Sequence, residues 1–183
     1  MPQNQSVIAD NLKHKREHLI DLFFKGRASH FLGQHTRMLD TYFHDSFEAS
    51  RIGPQLELDK NPYAIIALGG YGREEQCLHS DVDLLFLFKK RIPDTAEGLT
   101  QEIVYPLWDI GLDVGYAMRS LDECIDLAGH DYEILTPLLD ARFICGMSIL
   151  YTELLEKIDA AIIKPKARKI IDWLIAANRD RHL

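Results

Sequence analysis

Two short apolar runs limit what this chain can fold into. YAIIAL (Tyr63 to Leu68) ends at Gly69-Gly70, and DVDLLFLF (Asp81 to Phe88) ends at Lys89, Lys90, Arg91 and Pro93. Continuous apolar runs this short, closed by turn residues, suit strands covered on both faces. The stretch between them, Ala67 to Phe88, reads strand, glycine turn, connection, then Asp-x-Asp opening a second strand. Each part has a chemical reason. A glycine pair lets the backbone approach an anion closely and aim its amides at it. A helix starting at Tyr71 would add the partial positive charge of its N-terminus, and Arg73 has the fork to meet phosphate oxygens. Asp81 and Asp83, two apart on a strand, share a face. Two ionised carboxylates side by side repel unless a cation lies between them, and Mg²⁺ takes one or two carboxylates and completes its shell with water and phosphate. Two such ions hold attacking and leaving oxygens in line.

The rest of the chain reads mostly helical. Apolar spacing predicts helices over about 7–27 and 28–50, then a turn-rich linker, RIGPQLELDKNP, with Gly53, Pro54 and Pro62. A helix is expected over 95–110 with Gly111 as its stop, and a third strand over 112–119. Ser120-Leu121-Asp122-Glu123 matches a capping box, which predicts a helix from Leu121 to about Ala128. Another helix covers Tyr132 to Leu139, before the short run ARFICG. From Ile149 onward the pattern is helical, interrupted at Pro165, with no stop signal at the end. The division expected is a helical N-terminal segment (1–52), a core (62–147) and a helical tail (148–183), in a fold of α+β class built on a small mixed sheet.

At 183 residues, a chain 46% apolar and 27% charged can bury a core without staples. Its 21 Lys and Arg against 28 Asp and Glu leave a net charge of −7, which argues against broad nucleic-acid binding. Cys77, Cys124 and Cys145 form no CxxC, so a reducing compartment is expected. The N-terminus has no apolar signal region and no run approaches the roughly 18 apolar residues of a membrane helix, so a cytoplasmic location without membrane contact is expected.

The glycine pair and the Asp-x-Asp pattern together resemble the nucleotidyltransferase superfamily typified by DNA polymerase beta. More closely, GGYGREE…SDVDLL, LWDIGLDVGYAMRSLDEC and the A-R-F run resemble the N-terminal part of bacterial PII-uridylyltransferases and related nucleotidyltransferases. These motifs cover about Ala64 to Arg142. The resemblance implies an α+β nucleotidyltransferase core with Asp81, Asp83 and Asp113 as catalytic metal ligands. It also implies two Mg²⁺ ions, a nucleoside triphosphate substrate (UTP) and a tyrosine of a PII-type protein as acceptor. Gly69, Gly70, Arg73 and Ser80 would hold the phosphates. An acid such as Asp113 between apolar neighbours would be costly without a partner; Asp109 is the competing candidate. Glu74 stands where the family often has glycine, and Leu78 near where it has proline. Family enzymes are longer and carry a His-Asp phosphohydrolase domain, for which these residues leave no room, so the remainder of a longer chain is expected.

Plainer roles stay open for several residues. Arg73 reads equally as a surface arginine, Ser80 as a turn serine, and Arg119 either as a nucleotide contact or as a salt-bridge partner. His14 and His18 read as a solvated helix face, His44-Asp45 and His130-Asp131 as chance dipeptides, the cysteines as small core residues, and Trp108 and Trp173 as packing residues. The alternative function is a catalytically weak nucleotide-binding sensor or regulatory module with the same fold.

Overall fold

A computed structural model describes residues 3–53 and 62–180. Most of the expected linker, Pro54 to Asn61, lies outside the described residues, as do the last three positions. Four strands form one sheet in the order β3-β2-β1-β4: β1 (Tyr63–Ala67), β2 (Val82–Phe88), β3 (Val114–Ser120) and β4 (Arg142–Gly146). β1 runs antiparallel to both β2 and β4, and β2 runs parallel to β3. The small mixed sheet of an α+β fold is therefore present.

Both faces of the central strands are covered, which is why their sequences do not alternate. Tyr63, Ile65 and Ala67 of β1 join Val82, Leu84, Phe86 and Phe88 of β2 in one core. Two N-terminal helices contribute to it: α1 (Gln3–Phe24) through Ala9 and Leu12, and α2 (Phe31–Glu48) through Leu39, Tyr42 and Phe43. The alternate residues, Ala64, Ile66, Leu85 and Leu87, form a second core on the opposite face. There they meet α6 (Leu121–His130), α7 (Tyr132–Leu139), α8 (Ser148–Ile158) and the start of α9 (Lys164–Asp180). A single helical turn, α3 (Gly69–Gly72), follows β1, and α4 (Glu97–Ile103) and α5 (Tyr105–Asp109) precede β3.

The capping box is as expected: Glu123 N–H donates to Ser120 Oγ at 3.2 Å, and Ser120 N–H donates back to Glu123 Oε2 at 3.4 Å. Three local expectations are corrected. The 95–110 helix divides at Val104, because Pro106 brings no N–H to the next turn. The C-terminal helix is not interrupted at Pro165. A wide π turn, Asp159–Ile163, comes just before it, and Lys164 N–H reaches back to Asp159 O, so the proline sits in the first turn of α9. Cys124 and Cys145 are core residues, but Cys77 is exposed in the connection before β2. Among the described residues no helix is long and apolar enough to cross a membrane.

Candidate functional site

The site lies where β1 hands over to α3 and the connection returns to β2. Leu68 N–H donates to Asp83 O at 3.0 Å, tying the glycine turn to the strand that carries the acids. Gly69 and Gly70 open the turn, so their amides have no intrahelical acceptor. Gly69 has φ +54, and a Cβ there would stand 3.4 Å from Asp83 Oδ2. On the other side, a Cβ on Gly115 of β3 would stand 3.0 Å from Asp83 Oδ1. The Asp83 carboxylate is therefore seated between two backbones that carry no side chain. Lost hydration, and then the charge of Asp81, raise its pKa above the ordinary 3.8. Such a carboxylate gains from a bound cation, and the donor chemistry of the pair, two hard oxygen ligands beside a glycine turn, fits Mg²⁺.

Asp113 is exposed in the loop before β3. Its carbonyl accepts Val82 N–H at 2.9 Å, one step before the Val82↔Val114 rung, so its backbone comes alongside that of Asp81. Among the described residues no three His, Cys, Asp or Glu side chains form a metal-binding group. The three carboxylates thus share one end of the β2–β3 ladder without forming a ready-made cluster. Asp109 is exposed at the end of α5.

Arg73 lies beside the glycine turn, its Nη2 3.9 Å from where a Cβ on Gly70 would stand, and is already engaged by carboxylates. Its Nε donates to Glu75 Oε2 at 2.8 Å and its Nη1 to Asp140 Oδ2, with the side chain about half exposed (48%). Ser80 is exposed, and its carbonyl accepts from Gln76. Arg119 pairs with Leu87 while Asp83 pairs with Gly115, four rungs away, or about 13 Å along the strands; it does not face the acids.

Several supporting residues carry no signal in the local sequence. Asp40 of α2 accepts Tyr71 Oη–H at 2.7 Å and both Nη groups of Arg142 at 3.0 Å. Arg142 also lies over the Tyr71 ring, 5.3 Å from its centroid, and donates to the carbonyls of Tyr71 and Gly72. The tight glycine of GGYG is Gly72: a Cβ there would lie 2.0 Å from Asp140 O, whereas Gly70 has ordinary room. Glu74 has φ +61, the left-handed conformation that glycine adopts without penalty. The A-R-F run was the one visible hint of Arg142.

The sequence profile of the DUF294 nucleotidyltransferase family matches residues 16–120, more than half of the chain. The chain is 41% identical over 118 residues to the bifunctional uridylyltransferase/uridylyl-removing enzyme of Rhodopseudomonas palustris, a match covering 64% of this chain and 13% of that protein. To the enzyme of the same name from Rhodospirillum rubrum it is 36% identical over 178 residues, 97% of this chain and 17% of that one. The enzyme from Bradyrhizobium diazoefficiens matches at 40% over 119 residues. The chain spans less than a fifth of the length of these curated relatives.

Proposed function

Because the chain belongs to the DUF294 nucleotidyltransferase family, we propose that it moves UMP from UTP to a hydroxyl, the acceptor being a tyrosine of a PII-type signalling protein. The observation that carries this reading is the seat of Asp83. The glycine turn is hydrogen-bonded to the acid strand, and the carboxylate lies between Gly69 and Gly115. The amides of Gly69 and Gly70 would receive the triphosphate. Asp81 and Asp83 would hold Mg²⁺, two ions when Asp113 joins them. Bound Mg²⁺ supplies neutralisation of the acid pair and polarisation of the phosphate oxygens. Asp113, at the edge strand, would lie on the side from which the acceptor hydroxyl arrives. Ser80 lies beside the pair. Arg73 would reach phosphate by exchanging its carboxylate partners, Glu75 and Asp140, for phosphate oxygens. The rate gain would come from positioning and from fixed charge.

The engagement of Arg73 by two carboxylates favours a second reading, a nucleotide-binding module with weak catalysis. Pyrophosphate release separates the two. Wild type incubated with UTP, Mg²⁺ and a PII-type protein should release pyrophosphate and label the acceptor, and the Asp81→Asn, Asp83→Asn double variant should do neither. Nucleotide binding without release in the wild type would select the module.

A further inference from the structure

The connection from Glu75 to Asp81 has no regular structure, yet it delivers the first acid of the pair. Four of its carbonyls are held by side chains. Arg16 of α1 donates Nη2–H to Leu78 O at 2.9 Å. His35 of α2 meets Gln76 O through Nδ1 at 3.1 Å. Gln76, fully buried, turns its Nε2 to Ser80 O at 2.7 Å and to Asp81 O at 3.2 Å. The holders are themselves joined, with Arg16 Nε donating to His35 Nε2 at 3.1 Å.

The chemistry permits one assignment. A guanidinium only donates, so His35 Nε2 is the acceptor and the ring is neutral. Nδ1 then carries the proton and donates it to Gln76 O. Burial, with the charge of Arg16 adding to it, lowers the His35 pKa below its ordinary value, in keeping with the neutral ring. The Gln76 amide has one orientation as well, because the reverse would set its oxygen against two carbonyls. Its Oε1 is left buried without a partner.

We propose that Gln76, seated on His35 and Arg16, is a positioning residue for the Asp81–Asp83 pair: its carboxamide fixes the backbone of Asp81 so that a divalent cation meets the two acids already set. This rests on the reading of the pair as a cation site. The two N-terminal helices thereby become part of the site's support, although neither carries a ligand.

Gln76→Met tests this directly. It fills the same space and removes the clamp, leaving the carbonyls of Ser80 and Asp81 to solvent. Gln76→Glu keeps the shape and reverses the polarity. The chain is titrated with Mn²⁺ alone and with Mn²⁺ plus UTP, and amide hydrogen exchange is read across residues 77–83. Expected for both variants are about tenfold weaker Mn²⁺ binding and faster exchange in that segment. Gln76→Met should melt within a few degrees of wild type. Asp81→Asn should lose Mn²⁺ binding while keeping the exchange protection. Wild-type exchange and Mn²⁺ affinity in Gln76→Met would overturn the proposal. Faster exchange in Gln76→Met, with Asp81→Asn binding Mn²⁺ as wild type does, would support the clamp and overturn the reading of the pair.

Discussion

Asp40→Ala should be among the most damaging single changes outside the apolar core, and its cost can be worked from the contacts. Arg142 loses two charge-assisted bonds of 3.0 Å, and the wholly buried Tyr71 hydroxyl loses its acceptor at 2.7 Å. Breaking a fully buried ion pair costs about 3–5 kcal/mol. Asp40 and Arg142 keep 26% and 23% side-chain exposure, so about 2–3 kcal/mol is the fitting share after solvent screening. An orphaned buried hydroxyl adds about 1–2 kcal/mol. The two losses share one carboxylate and do not add fully, so the total is about 3–4 kcal/mol. Asp40→Asn keeps one oxygen for Tyr71 and Arg142 Nη2 but loses the charge and sets an NH2 against Arg142 Nη1, at about 2 kcal/mol; Tyr71→Phe should cost about 1 kcal/mol. Urea unfolding reads this as a shift in midpoint at constant slope, and the alanine variant should melt roughly 6–16 °C lower. An Asp40→Ala variant within 1 kcal/mol of wild type would refute the reasoning. Equal costs for Asn and Ala would show that the Tyr71 bond contributes nothing.

Gly72→Ala should lose about 3 kcal/mol or more, because its Cβ meets backbone 2.0 Å away at Asp140 O. Gly129→Ala, on α6 with open space around it, should gain about 0.5–1 kcal/mol in the same unfolding assay. Glu74→Gly should raise stability by a few tenths to about 1 kcal/mol by relieving φ +61; a loss on denaturant unfolding would mean that the side chain does more than occupy a left-handed site. His35 faces Arg16, the carbonyl of Gln76 and the ring of Phe31, and its folded pKa is lowered from 6.5. Below 6.5 the unfolded chain therefore binds the extra proton first. Stability should fall as pH drops from 6.5 toward the folded value, and His35→Gln should flatten that slope in melts taken from pH 7 to 5.

The sheet's central strands were legible because burial on both faces leaves a run of apolar residues that no helix of this length explains. The acid pair and the glycine turn were legible because their spacing is local. The expected helix starts held where a side chain caps its own turn, as at Ser120. What escaped were features decided by distant partners. Asp40 and Arg142 lie 102 residues apart, and nothing near either shows that they meet. The pairing of Arg73 with Asp140, 67 positions away, is equally invisible in the local sequence. The Pro165 break was misread because a π turn can absorb a missing donor without ending the helix. The packing demand on Gly72 was hidden as the Arg73 pairing was, since it depends on where the Asp140 carbonyl falls.

The two faces of the sheet divide the work of the site unequally. Asp83 belongs to the same alternating set as Leu85 and Leu87, so its carboxylate emerges on the face covered by the C-terminal helices, beyond the end of the second core. The backbone that presents it is gripped from the other side. Asp40 and His35 come from one helix, α2, and hold opposite arms of the same loop: Asp40 fixes the glycine turn through Tyr71 and Arg142, and His35 fixes the return through Gln76. They stand five residues apart on that helix, about 7.5 Å along its axis, so one element braces both the glycine turn and the acid-bearing return. A shift of α2 along the sheet would move both arms together and keep their spacing. Loss of either contact would let one arm move alone. The separation between turn and acids is set directly by the β1–β2 ladder and the Leu68–Asp83 bond, and α2 braces both from behind.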